Sequence, residues 1–217
     1  MMRFLMSTLL VMQGFEVSAV PLRLQEKTTV TDWIALGSGC RGSAQGEGDL
    51  KMQVIQDLKD PLRLEVSFDM GSYKLSGDKP ILKNDQNFAR ECSLRFAVNP
   101  KVNTRIKNVE ARTRFLIEKD KGSLAEIHSR LVSAKGTLVD WSETYESSKS
   151  LKKEVAMNIV PNEEGRKILT QAECGVPRLL GADFTFENRR NSFKEKVEIK
   201  HAQENQVHFI IDLEPCI

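Results

Sequence analysis

Cys92-Ser93-Leu94-Arg95-Phe96-Ala97-Val98 is the stretch on which the fold of this chain turns. Cys92, Leu94, Phe96 and Val98 alternate with Ser93, Arg95 and Ala97, and a period of two marks a strand with one buried and one wet face. That parity aims the Cys92 sulfur at the core. The same alternation recurs on both sides of it. Leu62, Leu64, Val66 and Phe68 alternate with Arg63, Glu65 and Ser67, and Val109, Ala111, Thr113, Phe115 and Ile117 with Glu110, Arg112, Arg114 and Leu116. Leu180, Ala182, Phe184 and Phe186 repeat it, and Val207, Phe209, Ile211 and Leu213 close the series.

Weaker patterns predict strands over Thr28 to Leu36, Leu50 to Asp57, Leu124 to Ser133, Gly136 to Tyr145, Leu151 to Val160 and Lys194 to His201. Turn residues punctuate them at Asp60-Pro61, Ser76-Gly77-Asp78, Asn99-Pro100, Asp120 to Gly122 and Lys135-Gly136. Many short strands so divided predict an all-β chain, an antiparallel β-sandwich of jelly-roll or immunoglobulin-like kind. Ile106 to Leu131 also tolerates a helical spacing, but Gly122 and the β-branched content favour two strands. Asn162 ahead of Glu163 and Glu164 predicts a short capped helix through Leu169, which Gly165 weakens.

Residues 1–19 read as an export signal: Arg3 supplies the positive start, Phe4 to Met12 the apolar run, and Val17-Ser18-Ala19 the small residues before a cut that leaves Val20 first. The run is far shorter than the roughly 20 residues that cross a bilayer. No later segment is apolar enough to span one, so residues 20–217 are expected to form a single secreted or periplasmic domain without a membrane span. Hydrophobic residues make up 40% of the chain, enough for a core at this length. Lys and Arg number 32 against 30 Asp and Glu, a balance that argues against a nucleic-acid partner.

An exported chain with Cys40, Cys92, Cys174 and Cys216 is expected to form two disulfides, and four cysteines permit three connectivities. The expected pairing is Cys40 with Cys92 and Cys174 with Cys216. Loop closure at these lengths is worth about 4 kcal/mol per bridge in the chain-entropy model. No CxxC occurs, so neither a thioredoxin-like site nor a zinc ribbon is indicated.

The cysteine contexts are distinctive. Gly37-Ser38-Gly39-Cys40 follows the first strand, Arg90-Glu91-Cys92-Ser93-Leu94 opens a later one, Cys174-Gly175 precedes the strand through Phe186, and Cys216 ends the last. Over residues 30 to 216 this resembles the secreted all-β family known as domain of unknown function 4360. Two departures stand out: the strand from Val109 to Phe115 lacks the family's glycine, and Arg41 stands where a proline is common. The resemblance implies export, a β-sandwich and two disulfides, and it carries no activity or catalytic residue.

The residues themselves indicate no reaction, cofactor or metal. His128, His201 and His208 have no metal-ligand spacing, and a hairpin of Lys194 to His201 with Val207 to Leu213 turns His201 inward and His208 outward. No GxSxG elbow or phosphate-binding glycine loop is present, and Gly37 to Gly48 read as a bend around a disulfide. Asp78, Asn84, Asp85 and Asn87 lack the order of an EF-hand. Arg189, Arg190, Phe193, Lys194 and Lys196 form a small basic patch at an expected loop.

Aromatic residues are the ligand-binding candidates. Trp141 and Tyr145 share the parity of Thr137 and Val139, so a regular strand sets both rings on one face about 13 Å apart, the arrangement of a sugar-stacking platform. Burial in the core is the competing expectation, and Trp33 presents the same alternative. Three functions follow: a non-catalytic binding or structural module, a carbohydrate-binding module with cell-surface polysaccharide or protein as partner, and a secreted hydrolase. The last requires a cleft of converging ionisable groups.

Overall fold

The computed structural model describes residues 27–37, 40, 51–56, 60–69, 89–189, 197–201 and 206–216. Along them run β1 (Thr29–Leu36), β2 (Lys51–Gln56), β3 (Arg63–Asp69), β4 (Ala89–Asn99), β5 (Thr104–Lys119), β6 (Leu124–Ser133), β7 (Gly136–Glu146), β8 (Leu151–Ile159), α1 (Glu163–Thr170), β9 (Arg178–Arg189), β10 (Val197–His201) and β11 (Gln206–Pro215). One sheet has the order β1-β4-β9-β6-β7; the other runs β2-β3-β11-β5, with β8 and β10 also paired to β5. All pairings are antiparallel. The expected leader, the Ser76-Gly77-Asp78 turn, the Asp78 to Asn87 oxygen cluster and most of the basic patch lie outside the described residues.

Alternation places the core as expected. Leu94, Phe96 and Val98 of β4 and Leu180, Ala182, Phe184 and Phe186 of β9 face Leu64, Val66 and Phe68 of β3 and Val207, Phe209 and Ile211 of β11, all buried. Rings stitch the two layers together. Phe96 meets Phe209 at 4.8 Å and Phe68 at 5.5 Å, while Phe115 of β5 meets Phe186 at 5.2 Å. Such edge-on and tilted pairs contribute about 0.5–1.5 kcal/mol each beyond their burial.

The disulfides are Cys40–Cys92 and Cys174–Cys216. The first ties the segment after β1 to β4. The second ties the loop ahead of β9 to the end of β11. Gly37, in the box before Cys40, has φ +109°, and a β-carbon there would stand 2.2 Å from the Glu91 carbonyl oxygen, so the crossing over β4 admits only glycine.

The expected helix is present. Asn162 Oδ1 accepts from the Gly165 N–H at 2.8 Å, Glu163 and Glu164 occupy the positive first turn, and Lys167 pairs with Glu163 at 2.9 Å. Leu169 buries itself against the core, closing the end of the sandwich beside β5 and β7.

The expected hairpin is corrected. β8 occupies one edge of β5, from Ala111 opposite Ile159 to Lys119 opposite Leu151. On the other edge β11 pairs with residues 104–113 and β10 with residues 115–119, both antiparallel to β5. β10 and β11 are therefore successive pieces along one line, not partners of each other. Alternation predicts which face a side chain takes and says nothing of which strand lies alongside. His208 does face outward.

Candidate functional site

The outer face of the five-stranded sheet carries rows of cross-strand neighbours. Glu91 lies opposite Thr185, Thr185 opposite His128, and His128 opposite Ser142; the next row runs Ser93, Asp183, Arg130 and Asp140. Because strands lie about 4.8 Å apart, each row of four spans roughly 14 Å. Between them is an open groove of about 590 Å³, lined by Glu91, His128, Arg130, Trp141, Asp183 and Glu187 among others. Alternation makes this face polar: these side chains are the wet half of the same strands whose other half builds the core.

Pairs hold the groove side chains in place. Arg95 Nη2 donates to Asp183 Oδ1 at 2.6 Å, Arg130 Nε to Asp140 Oδ1 at 2.7 Å, and His128 Nε2 lies 3.0 Å from Glu126 Oε1. The hydrogen bond that Asp140 accepts, together with the Asp140 charge, raises the Arg130 guanidinium above its ordinary value, so it stays charged. Glu126 and Glu187 lie directly opposite on neighbouring strands, and Glu91 stands one row away on the far side of β9. Carboxylates therefore outnumber cations along the groove.

The aromatic candidates separate. Trp141 pairs with Ser129 and Tyr145 with Ala125, so both take the inner side of β7. Tyr145 is 5% exposed and belongs to the core, with Lys153 Nζ 5.4 Å over its ring. Burial first, and then the Glu143 carboxylate, push its hydroxyl well above the ordinary value. Trp141 borders the groove by position, but from the inner side of β7 its half-buried ring packs against the core. Thr137 leaves the shared face because a bulge at Leu138 shifts the register, with Thr137 opposite Val132 and Val139 opposite Leu131. Neither ring of the expected platform faces the groove, and burial is the outcome for both.

Trp33 stands elsewhere. β1 is an edge strand with a register shift between Thr31 and Ile34, where Asp32 takes φ 51°. That bulge turns the Trp33 ring edge-on to Phe68 at 6.0 Å, leaving it 39% exposed. Among the described residues no group of three or more His, Cys, Asp or Glu is placed to hold a metal ion. No helix there is long and apolar enough to cross a membrane. The groove-lining Glu91, Arg130 and Asp183 escaped sequence reasoning, since their strands are distant in the chain and only the sheet order makes them neighbours.

No family model matches the chain. No curated protein matches it either. Similar solved structures include TmCBM61 in complex with beta-1,4-galactotriose, at 11% identity over 85% of this chain and 89% of that one, with a TM-score of 0.24. The enzymatically active domain of bacteriophage CBA120 tailspike protein 4 matches at 12% identity over 82% of this chain, TM-score 0.24. An arabinose-bound MgGH51 α-L-arabinofuranosidase matches at 10% identity over 84% of this chain, TM-score 0.19. The chain spans 20% and 23% of those last two. Likenesses at these scores leave the function to the geometry.

Proposed function

We propose that this chain is an exported, non-catalytic binding module of the domain of unknown function 4360 type, whose five-stranded outer face takes carbohydrate. The observation that carries the reading is the groove of about 590 Å³ across four strands, lined by charged and hydroxyl side chains. Its volume falls within the range of ligand sites, roughly 300–1,000 Å³. Sugar hydroxyls both donate and accept, which suits a surface offering carboxylates beside guanidinium. Arg95, Arg130 and Asp183 are already held by partners, so little side-chain freedom is lost on binding. Export accords with the two disulfides, which an oxidising compartment sustains.

Titration calorimetry against neutral plant and cell-wall polysaccharides tests this. Binding that falls at least tenfold in Arg130→Ala and in Thr185→Trp, which fills the groove floor, is the expected result. Absence of binding at millimolar oligosaccharide, or wild-type affinity in both variants, overturns it.

A further inference from the structure

The six-stranded sheet has a groove of its own, of about 350 Å³, lined by Glu65, Arg112, Arg114, Asn158, Gln206, His208 and Ile210. Its floor is unusual for an outer face. Ile210 lies between Glu65 of β3 and Glu110 of β5 and is only 7% exposed, so an apolar base is sunk among charged side chains. The signal for it is the unbroken run Phe209-Ile210-Ile211, where alternation calls for a polar residue.

On this base the polar groups are oriented. Glu65 Oε1 lies 2.6 Å from His208 Nδ1, and the buried Ser67 hydroxyl lies 3.1 Å from the same nitrogen. A serine–histidine–acid triad places its hydroxyl and its carboxylate on opposite ring nitrogens, so this cluster does not prime Ser67 as a nucleophile. It fixes the ring instead. With Nδ1 committed to Glu65, the ring nitrogen left for a ligand is Nε2, which bonds a hydroxyl as acceptor when the ring is neutral and as donor when it is protonated.

Two guanidinium groups complete the groove. Arg112 gives Nε and Nη2 to Glu110 at 2.7 and 3.1 Å, which holds it upright and leaves the Nη1 protons unspent. Arg114, two residues along the same face and about 7 Å away by strand geometry, is 3.9 Å from Glu154, beyond hydrogen-bond length. Its fork is therefore open to a carboxylate, which guanidinium binds in bidentate fashion. The lining residues carry two arginines and one glutamate, with Glu110 and Glu154 beside the two arginines, so the groove is less acidic than the one on the other sheet without being a basic patch.

We propose that this second groove binds a hydroxyl-bearing carboxylate, the uronate unit of an acidic polysaccharide, with Arg114 and Arg112 on the carboxylate and His208 Nε2 on a ring hydroxyl over Ile210. The proposal is independent of the reading of the first groove, because the two sites lie on opposite faces. Calorimetry with glucuronate, a glucuronate oligomer and the matching neutral glucose oligomer tests it, on the wild type and on His208→Gln, Arg114→Glu and Lys135→Ala, the last at an exposed turn outside both grooves. Expected are binding of the acidic oligomer at least tenfold tighter than the neutral one, loss of at least tenfold in His208→Gln and Arg114→Glu, and no change in Lys135→Ala. Glucuronate alone binding as tightly as its oligomer assigns the site to a free sugar acid, and tighter oligomer binding assigns it to the polymer. Equal affinity for acidic and neutral oligomers, an Arg114→Glu variant of unchanged thermal midpoint that still binds, or no heat at 10 mM ligand overturns the proposal. Arg114 is well exposed, so its variant keeps the test valid should His208→Gln fail to fold.

Discussion

Gly165 of α1 lies so close to Leu138 of β7 that a β-carbon built on it would stand 2.0 Å from the Leu138 carbonyl oxygen. Helix propensity alone favours alanine there by about 1 kcal/mol. The contact reverses the sign, because backbone must move to admit the methyl group. Gly165→Ala is expected to lower stability by about 1–3 kcal/mol, read as a fall in the urea midpoint. An unchanged or higher midpoint would show that α1 does not sit this tightly on the bulge.

Cys40 and Cys92 are each 2% exposed, whereas Cys174 is exposed and Cys216 half-buried. A thiolate reductant must reach a sulfur to attack it. Mild reductant followed by alkylation and mass mapping is expected to label Cys174 and Cys216 well before Cys40 and Cys92. Simultaneous labelling of all four in the folded protein would contradict the burial of the first bridge.

Lys119 is 2% exposed, and its Nζ donates to the carbonyl oxygens of Ser123 at 2.6 Å, Asp120 at 3.2 Å and Ser147 at 3.3 Å. One ammonium thus satisfies both turns that flank β6 and β7. Lys119→Met keeps the length of the side chain and removes every donor, and the loss is expected to be about 2–4 kcal/mol. Chemical denaturation measures it, and a cost below 0.5 kcal/mol would mean that water replaces the ammonium.

Tyr145 sets an alkaline limit. Its hydroxyl is held above the ordinary value by burial first and then by Glu143, so the folded state keeps its proton where the unfolded chain has lost it. The stabilisation is whole below the unfolded value near 10 and declines as pH rises above it. Tyr145→Phe is expected to flatten the fall in stability above pH 10. Parallel stability curves for the two proteins from pH 9 to 11.5 would refute this.

Strand positions were legible because each strand buries one face, and Leu94, Phe96 and Val98 announce that from local sequence alone. Asn162 announced the helix, since a cap acts on the next three residues. Partnership was not legible. Nothing in the sequence records that Val197–His201 extends the line of β11 along β5, and nothing in Trp141 records whether the inner face of an edge strand is covered. The bulge at Leu138, on which Gly165 packs, was equally hidden, because the two lie on elements distant in sequence. Both grooves depend on such long-range adjacency, so nothing local marks Arg130 or Arg112 as groove residues.

The place of β11 between β5 and β3 governs the order of events when the chain is made. A polypeptide that has emerged only as far as residue 205 lacks the strand on which both neighbours zip, so the six-stranded layer closes only once β11 is in place. Contacts between segments so far apart in sequence close slowly. β11 is therefore the keystone of that layer, and the strands on either side of it wait for its arrival.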